Sequence, residues 1–206
     1  NKSGCKGYKR QRNVRIKVGD LMAQTTKRAL AASLKKLLSK KPLDKITVSD
    51  ITDDCEVNRQ TFYYHFKDIY DLIEWIYTSE SSKAIDGNNT YKTWQNGYER
   101  LLEYVLENKD FVLNTYHSVS REYLERFLYE EAYDLLYSVI EEISVNTHIR
   151  TEDKEFIAHF YKYALVGLIV DWIDKSMKGD PKDIVYKMSI VMEGSIPTAI
   201  ERFQRV

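Results

Sequence analysis

The sequence contains few of the residues that cross-link or interrupt a fold. Among 206 residues it has two cysteines, three prolines and eight glycines. Two cysteines, Cys5 and Cys55, are too few for the disulfide framework of a small secreted protein, so a reducing compartment is expected. Sustained strand alternation is also missing, and apolar residues recur at helical spacing instead. An all-α fold is therefore predicted.

Signatures of catalysis and of metal binding are missing as well. The sequence has no glycine-rich phosphate loop, no GxSxG nucleophile motif and no HExxH zinc motif, and its four histidines are scattered. The acidic pairs Glu130-Glu131 and Glu141-Glu142 are typical of solvated helix faces. We expect no catalytic residue, no metal and no cofactor, and a small all-α enzyme is kept as an alternative.

Long apolar runs and a net charge are also lacking. No run approaches the roughly 18 residues of a membrane-spanning helix, and no signal-peptide pattern precedes Met22, so a cytoplasmic protein without a membrane partner is expected. The net charge of zero argues against a globally basic nucleic-acid binder, but residues 1–21 are rich in lysine and arginine. This arm is predicted to be disordered alone and to lie along DNA, unless it is not native sequence and the chain starts at Met22.

The stretch KITVSDITDDCEVNRQTFYYHFKDIYDL predicts two short helices joined by a tight turn and followed by a third. Thr47, with Asp50 three residues on, makes a capping-box-like start, so the first short helix should run from about Val48 to Cys55. Asn58 is a good N-cap for the second helix, because its side-chain oxygen can accept a hydrogen bond from an amide of the first turn. Only a few residues then separate the two helices.

The second short helix has two distinct faces. Phe62 and Phe66 lie four residues apart and share one face, where they can close a small core. The opposite face is centred on Gln60 and Tyr64, residue types that suit a helix in the major groove of DNA. A helical hairpin with a polar outer face fits the same spacing. If the helix reads DNA, its candidate contacts are Arg59, Gln60, Thr61, Tyr63, Tyr64, His65 and Lys67.

The segment TVSDITDDCEVNRQTFYYHFKD resembles the helix-turn-helix of the TetR family of bacterial transcription regulators. In two places it departs from the family pattern. The family's turn glycine is Glu56 here, so a left-handed backbone at this position would cost about 1 to 2 kcal/mol, unless the turn is slightly reshaped. The lysine that commonly follows the next helix cap in the family is Ile69 here, and Lys67 could supply its phosphate contact instead. The resemblance implies binding to a double-stranded DNA operator, association with the nucleoid when bound, and Thr47 and Asn58 as further contacts. The matching residues are Thr47, Val48, Phe62, Tyr63, His65 and Phe66.

Two longer helices should flank the helix-turn-helix. Apolar residues at helical spacing predict one from Thr25 to Lys40, which would brace the motif. Thr26 near its N-terminus is placed to meet a phosphate, because free amides and the helix dipole favour an anion there. Ordinary capping explains Thr26 equally well. After the motif, Asp68 should cap a long helix that leads out of the DNA-binding domain.

We predict three regions: the arm (residues 1–21), a DNA-binding domain with its linking helix (22–80), and a helical-bundle regulatory and dimerisation domain (81–206). The loop Gly87-Asn88-Asn89 marks the boundary between the last two. Beyond it, helices are predicted over Tyr91 to Asn108, Phe111 to about Ser118, Arg121 to Asn146, Glu152 to Lys178, and Lys182 to Phe203, the last interrupted at Pro197.

The segment from Phe156 to Met177 is the least polar part of the chain. A helix that is apolar nearly all round needs a second partner surface, unless it is an ordinary core helix, and Gly167 permits close helix approach. The run GLIVDWIDKSMKGDP resembles the penultimate helix of TetR-family regulators, whose last two helices form a four-helix bundle with a second subunit. The resemblance implies a homodimer, with an interface that includes Phe160, Ala164, Gly167, Leu168, Met188 and Met192.

The segments from residue 91 to residue 146 contain more tyrosine than a plain core needs, because each buried hydroxyl must find a hydrogen-bond partner. Three interpretations fit: a pocket for a small-molecule effector, a surface for a partner protein, or core rings whose hydroxyls reach water. The resemblance is strongest to the TetR branch that contains the dihydroxyacetone kinase operon activator, which implies a partner protein. The candidate pocket residues are Trp94, Tyr98, Tyr116, Phe127 and Tyr133.

Overall fold

The computed structural model of the chain describes residues 18–84 and 89–204, and these form α-helices without a strand, which confirms the all-α prediction. The basic arm up to residue 17 lies outside the described residues, as does most of the predicted boundary loop. A short 3₁₀ helix, Leu43–Lys45, joins the first two helices. The helices are α1 Val18–Leu38, α2 Val48–Asp54, α3 Arg59–His65, α4 Ile69–Ala84, α5 Trp94–Glu107, α6 Lys109–Tyr116, α7 Arg121–Ile143, α8 Thr151–Asp174, α9 Pro181–Met192 and α10 Ser195–Phe203.

The first helix starts earlier than its apolar stripe predicts. α1 begins at Val18 instead of Thr25, so the predicted boundary at Met22 falls inside a helix. Once nucleated, a helix gains one hydrogen bond for each further residue, and it therefore extends beyond its buried stripe until a residue stops it.

The break near the C-terminus lies at Gly194 instead of Pro197. Gly194 has a φ of +68°, in the left-handed region that glycine adopts without steric cost, and it separates α9 from α10. Pro197 stands in the first turn of α10, where the missing amide of proline would have no partner within the helix. The sequence-based position of the break was therefore wrong by three residues.

The helices pack around α7, which contacts α4, α5, α6 and α8. The helices α1, α2 and α3 pack on each other, and α1 also contacts α4 and α6. One continuous cluster of buried apolar side chains runs through both regions, from Leu30 on α1 to Ile200 on α10. The helix-turn-helix is thus part of the same core as the C-terminal helices.

α8 is apolar on two sides. Ile157, Leu165 and Ile169 are buried, and the helix packs mainly against α7. Phe160 on the other side is 62% exposed and Leu168 is exposed as well. By length and composition alone, α8 could cross a membrane, although no such helix was expected from the sequence. Its packing on α7 makes it a core helix with one bare apolar face.

Candidate nucleic-acid interface

The start of α2 is fixed by a complete capping box. The Thr47 hydroxyl accepts a hydrogen bond from the Asp50 amide at 3.2 Å, and the Thr47 amide donates to the Asp50 carboxylate at 2.7 Å. Lys41 Nζ lies 2.9 Å from the same carboxylate. The hydrogen bond from the Thr47 side chain, followed by that from Lys41, lowers the pKa of Asp50 to about 2. Asp therefore serves at the capping-box position where Glu or Gln is usual.

Asn58 caps α3 as predicted. Its side-chain oxygen accepts hydrogen bonds from the Thr61 amide at 2.7 Å and from the Thr61 hydroxyl at 3.0 Å. The side chains of Asn58 and Thr61 are thus hydrogen-bonded at the start of α3. The polar groups of this helix that are free to meet a ligand lie on other residues.

The turn between α2 and α3 holds Glu56 in a left-handed conformation with a φ of 56°. This is the conformation for which glycine is the usual residue, and in it a side chain with a Cβ atom costs about 1 to 2 kcal/mol. The turn therefore keeps its shape without its usual glycine.

We expect Glu56→Gly to stabilise the protein by about 0.5 to 1 kcal/mol, because the relieved strain exceeds the extra entropy that glycine gives the unfolded chain. The melting temperature should rise by about 2 to 4 °C per kcal/mol in a chain of this size, as measured by circular dichroism. Glu56→Ala keeps a Cβ atom and should leave the melting temperature nearly unchanged. A lower melting temperature for the glycine variant would show that the Glu56 side chain contributes more than its backbone costs.

The two faces of α3 are separated as predicted. Phe62 and Phe66 are buried, and their ring centroids lie 5.9 Å apart in the small core of the motif. On the opposite side Tyr64 is 82% exposed and Tyr63 is 59% exposed, and Gln60 beside them is exposed too. The helix therefore presents an amide and two phenols to solvent.

Cationic side chains flank the two ends of this face. Arg59 at the first position of α3 and Lys67 just after the helix are both exposed. The Lys67 backbone amide donates to the Asp71 carboxylate at 2.8 Å, which fixes the chain where α3 passes into α4. His65 is half-buried, and burial, with a smaller effect of Lys27, lowers the pKa of its imidazole.

Thr26 does not lie at a helix N-terminus, so the basis for its predicted phosphate contact is wrong. It stands inside α1, and its hydroxyl donates to the Met22 carbonyl one turn earlier at 3.1 Å. Lys27 in the next position lies over two rings, with Nζ 5.3 Å from the Phe66 centroid and 5.7 Å from that of Trp75.

The five predicted pocket residues do not line one cavity. The Tyr98 hydroxyl donates to the Leu165 carbonyl at 2.8 Å, and the Tyr116 hydroxyl donates to Asp174 at 3.2 Å. Phe127 packs between other rings of the core, and Trp94 is buried against α9, where it borders a surface groove. Each of these four rings fills its own place in the core, so they do not line a shared pocket, and the prediction of one is corrected on that ground.

Other tyrosines gather at the surface where α7 meets α8. We call this group the tyrosine patch, and its members are Tyr129, Tyr133, Tyr137, His159, Lys162 and Tyr163. Tyr133 stacks on Tyr137 at 5.6 Å, and Tyr129 meets Tyr163 at 5.6 Å. The Lys162 ammonium lies 5.4 to 5.5 Å from three of these rings. Tyr133, predicted as a pocket residue, thus belongs to a surface.

The predicted dimer residues divide into two groups. Phe160, Ala164, Gly167 and Leu168 share the bare face of α8, and a Cβ atom added at Gly167 would meet nothing within 4 Å. Met188 and Met192 are buried within the protomer, because this side of α9 packs against α5. Their assignment to a dimer interface is therefore corrected. The exposed apolar residues of α9, which the sequence analysis missed, are Tyr186, Ile190 and Val191.

Among the described residues, no group of three or more His, Cys, Asp and Glu side chains is arranged to hold a metal ion.

Comparison with known proteins relates the chain to bacterial regulators. Residues 24–76 match the model of bacterial regulatory proteins of the tetR family, and residues 92–194 match a C-terminal region of transcriptional regulators. The HTH-type dhaKLM operon transcriptional activator DhaS of Lactococcus lactis subsp. lactis (strain IL1403) is 30% identical over 145 residues, which cover 69% of this chain and 76% of that protein.

Two solved structures have the same fold. The dihydroxyacetone kinase operon activator DhaS superimposes with a TM-score of 0.66 at 25% identity, covering 87% of this chain and 98% of that one. NalD, the secondary repressor of the MexAB-OprM multidrug efflux pump in Pseudomonas aeruginosa, gives a TM-score of 0.55 at 15% identity, covering 84% and 95% of the two chains. At that identity the second likeness bears on the fold alone.

Proposed function

The chain belongs to the TetR family and is a DNA-binding transcriptional regulator, and on this premise we propose that α3 lies in the major groove of a palindromic operator. The observation that carries the proposal is the division of α3 into a buried phenylalanine side and an exposed side of Gln60, Tyr63 and Tyr64. A groove-bound helix needs such a division, because one side anchors it while the other meets base edges.

The exposed residues suit different parts of the duplex. The Gln60 amide can pair with an adenine edge through two hydrogen bonds, and Arg59 can reach guanine or a phosphate. The phenol groups of Tyr63 and Tyr64 and the ammonium of Lys67 suit phosphates, which fix the position of the protein without reading sequence. We propose these roles for a cytoplasmic regulator that has no catalytic activity of its own.

We expect Gln60→Ala and Lys67→Ala to weaken operator binding in different ways. Gln60→Ala should cost about 1 to 3 kcal/mol and relax base preference at one position of each half-site. Lys67→Ala should weaken binding to all sequences and reduce the salt dependence of log K by about one counterion. Fluorescence anisotropy titrations of the operator and of base-substituted duplexes over a salt series measure both effects.

The operator for these titrations is obtained by selection from a random duplex pool.

The Lactococcus lactis relative is named as an activator of the dhaKLM operon, and we propose that this chain regulates an operon of that kind. A footprint on DNA upstream of such genes would locate the same sequence.

If Gln60→Ala and Lys67→Ala both kept wild-type affinity and selectivity for the operator, α3 would not be the helix that reads the groove.

We propose that the bare face of α8, together with the exposed apolar residues of α9, pairs with a second copy of the chain. The family resemblance supports this arrangement, and Phe160 and Ile190 lie on the faces that such a pairing would cover. A twofold dimer would place its two recognition helices about 34 Å apart, one turn of DNA, or further on a longer site.

We also propose that the controlling signal reaches the protein through a partner protein at the tyrosine patch. Two observations support this. Four of the five predicted pocket rings are spread through the core, and at the surface the half-buried Tyr129 and Tyr133 and the exposed Tyr163 surround the Lys162 ammonium. Tyrosine is enriched in protein interfaces because it supplies a rigid ring with a polar end.

Replacing Tyr133 and Tyr163 together by alanine should reduce the transcriptional response to the signal about fivefold or more. Operator affinity in vitro should stay at the wild-type value, because the patch is remote from α3. A promoter fusion in the native host measures the response, and Tyr91→Ala, an exposed tyrosine outside the patch, is the matched control. A full response in the double variant would place the signal elsewhere.

A further inference from the structure

A half-buried polar cluster joins the DNA-binding helices to the regulatory helices. We call it the polar junction; it consists of Lys35 on α1, Glu80 on α4, Tyr104 on α5 and Asn108 between α5 and α6. Lys35 Nζ lies 2.8 Å from both carboxylate oxygens of Glu80 and 2.8 Å from Asn108 Oδ1. The Tyr104 hydroxyl donates to the Glu80 carboxylate, and Asn108 Nδ2 donates to the Tyr104 carbonyl at 2.9 Å. Three helices are therefore tied at one point.

The junction is more specific in geometry than an ordinary surface ion pair. The side chains of Lys35 and Glu80 are 24% and 25% exposed, and the ammonium lies 5.8 Å from the Tyr104 centroid and 5.3 Å from that of Phe111. Burial, followed by the nearby Glu80 carboxylate, raises the pKa of Tyr104, so its phenol stays a proton donor at physiological pH. A charge pair held by a phenol and an amide allows few alternative arrangements.

The junction acts on α1, and α1 is bound to the rest of the helix-turn-helix. The Ser33 hydroxyl donates to the Ile51 carbonyl of α2 at 3.2 Å, and Lys36 Nζ lies 2.5 Å from Asp54 at the end of α2. Lys27 lies over the ring of Phe66, just after α3. A change in the position of α1 relative to α5 therefore moves α3 as well.

α4 links the same two regions along its length. Near its middle Trp75 packs on Phe66, with centroids 5.8 Å apart, and in its second half Glu80 belongs to the junction. A helix of this size is about 24 Å long, so a tilt of about 5° moves one end by about 2 Å relative to the other. That displacement is comparable with the roughly 3.4 Å step between base pairs.

We propose that the polar junction fixes the angle between the DNA-binding helices and the regulatory helices, and thereby the half-site spacing that the dimer accepts. Lys35, Glu80 and Tyr104 are positioning residues on this account, because none of them is among the proposed DNA contacts and they act through α1 and α4. The part that concerns spacing rests on the proposed dimeric operator binding. The part that concerns the angle belongs to a single protomer and can be tested without DNA.

The angle is tested by an electron-spin distance measurement. Spin labels are attached at Gln60→Cys on α3 and Asp134→Cys on α7, both exposed sites, after the two native cysteines are replaced by serine. Labelled protein is diluted into excess unlabelled protein, so that only the distance within one protomer is measured. The wild type should give one narrow distribution. Glu80→Gln and Tyr104→Phe should broaden or shift it by about 2 Å or more, in line with the tilt above.

Spacing is tested with duplexes that the wild-type chain selects from a random pool, lengthened or shortened by one base pair between the half-sites. The wild type should prefer the selected spacing by about fivefold or more, and both variants should lose most of that preference. Glu107→Gln, which removes a charge from the same groove at a residue that is not one of the four members of the junction, is the matched control and should behave as wild type in both tests.

The two tests separate the possible failures. An unchanged distance distribution in Glu80→Gln and Tyr104→Phe would overturn the proposal, whatever the DNA results. Affinity that falls equally for all spacings would show a merely structural role and would overturn the spacing claim. If the wild type selected no duplex, operator binding would be wrong, while the distance measurement would still decide the role of the junction. Tyr104→Phe removes one hydroxyl and keeps the test valid if Glu80→Gln folds poorly.

Discussion

Replacing Gly167 by arginine is expected to keep the chain monomeric, by blocking the proposed dimer, and to reduce operator affinity more than a hundredfold. The free protomer should tolerate the change, because a side chain at this position meets open space. In the paired helices the guanidinium would be buried without a partner, at a cost of about 3 to 5 kcal/mol. Since about 1.4 kcal/mol is a factor of ten, this cost separates the subunits at ordinary concentrations. Sedimentation velocity and operator titrations measure the two effects.

Gly167→Ala is the matched control for the arginine variant. Alanine is a better helix former than glycine by about 1 kcal/mol, so this variant should melt at a higher temperature and stay dimeric. An intact dimer in Gly167→Arg, with an unchanged melting temperature, would place the interface away from this face of α8. Loss of folding in Gly167→Arg would contradict the open surroundings of the glycine.

The other large effect is expected from Phe62→Ala. Phe62 is fully buried between α2 and α3, and removal of a buried phenylalanine ring costs about 3 to 5 kcal/mol of unfolding free energy. The total free energy of unfolding of a natural domain is about 5 to 15 kcal/mol, so a substantial fraction of the Phe62→Ala molecules should unfold on mild heating. Urea denaturation followed by circular dichroism gives the change, and operator binding should be lost with it.

Tyr64→Ala serves as the matched control on the same helix. Tyr64 is 82% exposed, so its removal should change the unfolding free energy by less than about 0.5 kcal/mol. The same variant should still weaken DNA binding, because it removes a proposed phosphate contact. Equal stability of Phe62→Ala and Tyr64→Ala would show that α3 is not anchored by its phenylalanine side.

The helix-turn-helix could be predicted closely because its determinants are local. Thr47, Asp50 and Asn58 act on amides within three residues of themselves, and the phenylalanine spacing defines the buried side directly. The departure at Glu56 was also visible in the sequence, but only the structure shows that the turn keeps its left-handed backbone there.

The regulatory region could be predicted less well because its determinants lie far apart in sequence. Met188 and Met192 point inward only because α9 packs on α5, a contact that the apolar pattern of α9 does not contain. The tyrosine count of this region likewise does not reveal which rings fill the core and which face outward. Lys35 and Glu80, separated by 45 positions, gave no local signal of their pairing.

The single core that runs through both regions limits how such regulators can be recombined. Leu30 and Leu34 of α1 belong to the same buried cluster as residues of α5, α6 and α7. The helices α1 to α3 are therefore not an independent folding unit. A chimera that joins α1 to α3 of one relative to the remaining helices of another would bring together two surfaces that had packed against different neighbours. A new DNA-sequence specificity should therefore be transferred more readily by changing the exposed residues of α3 than by exchanging α1 to α3 as a unit.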